Sequence, residues 1–351
     1  MSSIDKSFGD NVVAIGDYLT NDPMVKADAD MRHVLNTLAD LGGRPIESCL
    51  PAQARRQPKL TEAVKQVLAP AGRDLADDMG ITTEDVSIPG PIGEIAARLY
   101  RPAALEGESK LPMILYLHGG GWVLGDLDSA DPVPRILAKR TGAIVVSAHY
   151  RLGPEHKFPA AHEDSYAAWL WMLEEAEALG GDASRAAVVG EDAGGNMALN
   201  IALQARDEAM PMPVHQALIY PIVGNDMTRE SYLEAMRAQP LNTPMMQWFT
   251  RHAFEARGDT ADPRINLVER QDFSGLPPVT LILAELDPLR TEGEVLAQAL
   301  HEQGVWVDAK TYEGVGHDFF GLGSIVTKAL FAQSQVINTL NEAFSTDKRS
   351  S

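Results

Sequence analysis

Three residues in this chain have the types and the order of a hydrolytic relay: Asp192 in "VVGEDAGGN", Asp287 in "AELDPLRTEGE" and His317 in "YEGVGHDFFGL". Each follows an apolar run that reads as a strand, so each falls where a strand hands over to a loop. A carboxylate after a buried strand can orient a histidine, and a histidine so held can move protons for a nucleophile. The nucleophile would sit in the Gly-flanked strand–turn–helix around position 192, with the amide of Ala193 completing an oxyanion hole. The pattern G-x-S-x-G asks for serine at that apex, and here the apex is Asp192. A fourth stretch, "LYLHGGGWVLGD" at 115–126, places three consecutive glycines after a strand, free to aim N–H groups at a small anion. Each signal alone has an ordinary reading: a Gly-rich loop, an Asp–Pro turn, a surface histidine. All four in this order, each after a strand, have the arrangement of a nucleophilic hydrolysis site.

These residues need a sheet to hold them. Residues 1 to about 75 read as helices, with Met31, Val34, Leu35 and Leu38 on one face and Leu60, Val64, Val67 and Leu68 on another. From about residue 84 the rhythm becomes strands alternating with helices. Strands are predicted at 86–88, 95–100, 113–118, 143–149, 186–189, 217–220, 279–284 and 305–312, and helices at about 130–140, 160–178, 194–207, 291–303 and 325–344. That succession predicts an α/β protein with a mostly parallel eight-stranded sheet and helices on both faces. Residues 222 to 255 interrupt the alternation with Met- and Trp-containing helical sequence, read as an insertion over the C-terminal edge of the sheet. The expected organisation is an N-terminal helical cap segment over 1–75 and a catalytic domain over 76–351.

The bulk properties narrow the function. The chain has 351 residues, 45% of them apolar, enough for one large core. With 49 acidic and 30 basic residues its net charge is −19, which disfavours nucleic acid, anionic membrane surfaces and strongly anionic substrates. A single cysteine, Cys49, rules out an internal disulfide and fits a reducing cytoplasm. The first residues hold only a five-residue apolar island, VVAIG, without the pattern of a signal peptide. No run approaches a membrane span. The histidines show no metal-ligand pattern, and neither metal nor cofactor is expected.

The motifs HGGGW (118–122), "HYRLGPEHKFPAA" (149–161), GEDAGGN (190–196), DPLRTEG (287–293) and GVGHDFF (314–320) resemble the bacterial hormone-sensitive-lipase family of carboxylesterases, over roughly residues 80 to 345. The resemblance implies an α/β-hydrolase fold with a helical cap, an oxyanion hole of Gly120, Gly121 and Ala193, and Asp287 orienting His317. It also implies that the N-terminal helices and the 222–255 insertion shape the pocket, and it allows a homodimer. Glu191 stands where that family often has Asp, and Asp192 replaces the nucleophilic serine. His118 is expected to fix the GGG turn, His149, His156 and His162 to be structural, and Met245, Met246, Trp248 and Phe249 to be cap core. Trp122 is placed at the pocket mouth.

An aspartate at the elbow changes the chemistry. Attack by a carboxylate on an ester carbonyl would give a mixed anhydride, and the weakly basic carboxylate would be expelled in preference to the alkoxide. Serine-type hydrolysis of small carboxylic esters is therefore expected to be weak or absent. A carboxylate suits displacement at saturated carbon, so the alternative is an epoxide hydrolase that forms an alkyl ester on Asp192, with Tyr220 or Tyr232 as the acid. Dehalogenases of that branch carry Trp after the nucleophile, where this chain has Ala193. A third possibility is a non-catalytic small-molecule binder. The intact glycine loop, Asp287 and His317 argue against long decay. At rest, one Asp192 oxygen is expected near the amides of Gly120, Gly121 and Ala193, and the other within hydrogen-bonding distance of His317.

Overall fold

The apolar strand runs assemble into one eight-stranded sheet in the order β1-β2-β4-β3-β5-β6-β7-β8. A computed structural model describes residues 22–73, 80–102 and 110–345, so the VVAIG island and the expected boundary at 75/76 lie outside the described residues. The strands are β1 (Ile81–Pro89), β2 (Glu94–Pro102), β3 (Leu111–Leu117), β4 (Ile144–His149), β5 (Gly181–Glu191), β6 (Gln216–Ile219), β7 (Val279–Leu286) and β8 (Val307–Gly316). β1 pairs antiparallel with β2, and β2 antiparallel with β4. The other pairings are parallel.

All eight predicted strands are present, and the differences lie at their ends. β1 extends back to Ile81 through the polar run TTED, because its full register with β2 supplies the hydrogen bonds that its exposed side chains do not advertise. β8 continues past Tyr312 to Gly316, pairing again with β7 at Leu286↔Gly316 after a register shift between Ala284 and Leu286. That extension carries the chain to the doorstep of His317.

Among the described residues, eight helices of nine or more residues accompany the sheet: α1 (Ala29–Asp40), α2 (Leu60–Leu68), α3 (Pro132–Thr141), α4 (Ala160–Glu174), α5 (Ala193–Asp207), α6 (Thr243–Ala253), α7 (Arg290–Glu302) and α8 (Thr327–Ser345). The period of two along the strands divides the core. Met113, Leu115, Leu117, Val188 and Leu281 pack with α4, α5 and α7. Ile114, Tyr116, Ala187, Val189 and Ile282 pack with α3 and α8 on the other face. The segment between β6 and β7 contains α6 and runs to residue 278, longer than the 222–255 insertion read from periodicity. Trp248 of α6 donates its indole N–H to the Cys49 carbonyl at 2.9 Å, tying this segment to the N-terminal one.

The close approach of the start of α5 to the C-terminal ends of β3 and β5 sets the backbone of the site. A Cβ on Gly190 would lie 2.1 Å from the Gly194 carbonyl oxygen, and one on Gly194 would lie 2.0 Å from that of Leu117. Only glycine lets strand, turn and helix approach so closely. Replacing Gly194 with Ala should cost about 3 kcal/mol through forced backbone displacement. Gly304, at φ +79° with nothing within 4 Å of its would-be Cβ, should cost only about 1 kcal/mol as Ala, from conformation alone. Urea unfolding midpoints of the two variants measure the difference; equal losses would contradict the close-approach argument.

Candidate active site

The relay residues and the glycine loop all sit at the C-terminal ends of strands. Asp192 follows β5, with φ 53° and ψ −115°, outside the ordinary range for a residue with a side chain. The turn holds because the Asp192 amide donates to the Ile219 carbonyl at 2.9 Å, while its own carbonyl accepts from Asn196 and Ile222, each at 3.2 Å. Asp287 follows β7 and His317 follows β8. Gly120 and Gly121 lie in the loop after β3, at φ +110° and +56°. A Cβ on Gly121 would meet the Phe249 ring at 2.4 Å, so helix α6 lies directly on this loop.

The structure brings Asp192, Asp287, His317 and the glycine loop together. The amides of Gly120 and Gly121 both donate to Asp192 Oδ2, each at 2.7 Å. His317 Nδ1 donates to Asp287 Oδ2 at 2.7 Å. Asp192 Oδ1 lies 3.7 Å from His317 Nε2, an electrostatic contact and longer than the hydrogen bond expected from sequence. The separation follows from the anchoring of Oδ2, which holds the carboxylate against the glycine loop. Ala193 makes no bond to the carboxylate among the described residues. A further carboxylate, Asp318, stands with Oδ1 3.6 Å from the same Nε2 and its side chain 48% exposed.

Asp192 and His317 open onto a cavity of about 490 Å³ whose wall includes Leu38, Leu60, Leu241, Met245 and Phe249. Its cations, Arg55 and Lys59, are already paired with carboxylates of the protein. Lys59 bonds Asp126 at 2.5 Å, and Arg55 pairs with both Glu155 oxygens at 2.9 and 2.7 Å. The cavity therefore suits an uncharged, mostly apolar guest.

Three expected pocket residues lie elsewhere. Tyr220 is fully buried on the α3/α8 face, its hydroxyl donating to Glu191 Oε2 at 2.5 Å and its ring centroid 4.5 Å from that of His317. Tyr232 is likewise buried and donates to Glu292 Oε2 at 3.1 Å. Trp122 is buried against Phe254 and His162 rather than standing at the pocket mouth. None of the three lines the cavity. Their partners explain why. Burial pushes the Glu191 carboxyl up to about 7 against hydrogen bonds from Tyr116, at 2.6 Å, and Tyr220. Glu292 is also raised to about 7 by burial, against bonds from the Val223 and Gly224 amides and Tyr232. These two glutamates brace the elbow and the chain after β6. Glu191, beside the elbow and one strand period beyond Val189, carried a signal for this role; Glu292 in a helical DPLRTEG carried none.

A family model described as the alpha/beta hydrolase fold matches residues 114–321, the span from β3 to just beyond His317. The chain belongs to the alpha/beta hydrolase fold family. Within it, the chain is 38% identical over 268 residues to the carboxylic ester hydrolase LipN of Mycobacterium tuberculosis, covering 74% of this chain and 70% of that protein. It is 34% identical over 300 residues to an ethyl acetate hydrolase of Pseudomonas putida, covering 85% and 92%. Among solved structures, the esterase of Pyrobaculum calidifontis superimposes with a TM-score of 0.77 at 35% identity, covering 90% of this chain and 98% of that one. A thermostable esterase from Pseudomonas putida gives 0.80 at 31% identity over 90% and 98%. These relatives support the hormone-sensitive-lipase type of alpha/beta hydrolase read from the motifs.

In this member of the family the histidine is surrounded by carboxylates. Burial alone would lower its pKa, but Asp287 first, then Asp318 and Asp192, outweigh burial and raise His317 from 6.5 to about 10. A pKa raised on folding gives stability that is complete below about pH 6.5 and is lost as pH rises through about 10. Proton NMR of the imidazole should find His317 still charged at pH 8. The unfolding midpoint should fall more steeply between pH 7 and 10 in this chain than in His317→Gln. Titration of His317 near 6.5 would contradict the coupling.

Proposed function

We propose that this chain is a carboxylesterase-type α/β-hydrolase for small uncharged esters whose oxyanion site is filled by its own Asp192. The observation that carries this reading is the pair of 2.7 Å bonds from the Gly120 and Gly121 amides to Asp192 Oδ2. In ester hydrolysis those donors stabilise the negative oxygen that develops as the carbonyl is attacked. Here a carboxylate oxygen already holds that position, so an incoming ester carbonyl finds no free donors from this loop. His317, kept as imidazolium, also lacks the lone pair a general base needs. Both effects reinforce the mixed-anhydride problem, and serine-type esterolysis by the chain as it stands is weak or absent.

With serine at 192 the same elements would work together. The hydroxyl would attack the ester carbon and pass its proton to His317 Nε2, while Gly120, Gly121 and the Ala193 amide received the oxyanion. The imidazolium would then protonate the departing alkoxide, and water would release the acid. Asp192→Ser should hydrolyse short-chain aryl esters at least roughly 10³-fold faster than the present chain. A folded serine variant no faster than the present chain would remove the functional content of the reading.

A second reading, epoxide hydrolysis through Asp192, is favoured by one observation. Oδ1 takes no hydrogen bond among the described residues and stands 3.7 Å from His317 Nε2, beside the cavity. Attack by Oδ1 would form a carbon–oxygen bond as the epoxide bond breaks. The expected tyrosine acids are bound to Glu191 and Glu292, so the proton for the new alkoxide would come from the His317 imidazolium. The neutral imidazole would then activate water to attack Asp192 Cγ, returning the carboxylate and the diol. Turnover of styrene oxide in ¹⁸O-labelled water should place label in the Asp192 peptide. Diol without that label, or no diol at all, removes this reading and leaves the self-filled esterase.

A further inference from the structure

His149 closes β4 beside the end of β3, where Leu117 pairs with Ala148. It is partly exposed and lines the cavity that holds Asp192, while its neighbour His118 is buried. The partners of the two rings determine where their protons sit. His118 Nδ1 lies 2.7 Å from the Gly119 carbonyl oxygen, which can only accept, so Nδ1 carries the hydrogen. Burial pushes His118 down to about 3, so the ring is neutral at physiological pH and its Nε2 is a bare lone pair. That Nε2 lies 3.1 Å from His149 Nδ1, which must therefore be the donor. Burial also lowers the pKa of His149, so its single proton is the one on Nδ1. The relay ends with a lone pair on His149 Nε2.

No protein donor among the described residues bonds that nitrogen. The nearby cations are committed: Lys59 to Asp126, and Arg55 to Glu155 and the Gly153 carbonyl. An acceptor on the wall of a mostly apolar cavity loses its water when a guest fills the space, and recovers that cost only if the guest supplies a donor. We propose that His149 Nε2 is a specificity determinant, selecting esters that carry a hydroxyl or amide N–H on the arm that reaches the tip of β4. The proposal rests on the ester-pocket reading and assigns His149, expected from sequence to be structural, to guest recognition.

Three esters test it in the Asp192→Ser protein: ethyl butyrate, 2-hydroxyethyl butyrate (donor on the alcohol side) and ethyl 3-hydroxybutyrate (donor on the acyl side). One hydroxylated ester should exceed ethyl butyrate in kcat/KM by roughly fivefold, the size of a neutral hydrogen bond. That ratio should fall to about one in Asp192→Ser/His149→Phe. No preference for either hydroxylated ester, or a preference that survives His149→Phe, overturns the proposal. If the serine protein hydrolyses none of the three, the esterase reading fails, and a separate measurement still decides the role of His149. In ¹⁵N NMR of the present chain, His149 should show protonated Nδ1 and pyridine-type Nε2, with Nε2 shifting on addition of a hydroxylated ester and not of ethyl butyrate. A protonated Nε2, or equal shifts with all three compounds, overturns it.

Discussion

The site depends on one carboxylate held from two sides. Asp192 Oδ2 takes the Gly120 and Gly121 amides at 2.7 Å, while Oδ1 faces an imidazole that Asp287 grips from behind. Each partner is built for negative charge: two N–H groups aimed at an anion, and a histidine whose pKa is raised by surrounding acids. A serine hydroxyl would leave the amides free for a reaction oxyanion. An aspartate, one bond longer, reaches them itself. The machinery that would stabilise a transition state thus stabilises the resting enzyme, and interactions already made in the ground state add nothing to the rate.

Holding that carboxylate in place draws on parts far from it. Asp192 keeps an unfavourable backbone conformation because β6, the chain just after β6 and α5 all bond its main chain. The glycines at 190 and 194 let the elbow press against β3, and the Gly121 loop presses in turn against Phe249 of the overlying helix. Buried Glu191 stitches β3 to the chain after β6 through two tyrosine hydroxyls, and Glu292 anchors the segment that follows. Buried carboxyls with raised pKa values near 7 are costly unless bonded, so these networks specify a single arrangement of the site.

Much of this was legible in the sequence. Strands with two buried faces are continuous apolar runs, and β3, β4, β6 and β7 announced themselves in that way. The elbow, the glycine loop, Asp287 and His317 were visible because their chemistry requires particular residue types at strand ends. The edge strand β1 was underestimated because register with a neighbour, rather than apolar side chains, defines its length. Tyr220 and Tyr232 were misplaced for a different reason. A tyrosine reads equally well as a wall of a pocket or as the cap of a buried acid. Only the side on which it falls decides, and here each faces a glutamate. The lone pair on His149 was invisible because it follows from two imidazole rings and a carbonyl brought together from the end of β4 and the loop after β3.

The claim that Asp192 fills its own oxyanion site can be read directly in solution. Couplings transmitted through hydrogen bonds connect an amide nitrogen to the carbon of the group that accepts its proton. In deuterated, ¹³C,¹⁵N-labelled protein, the amide nitrogens of Gly120 and Gly121 should both show a through-bond correlation to the side-chain Cγ of Asp192, as the two 2.7 Å contacts require. Absence of both correlations, with the two amide protons exchanging freely with water, would mean that the two amides stand open and would contradict the proposal that self-filling by Asp192 weakens esterolysis.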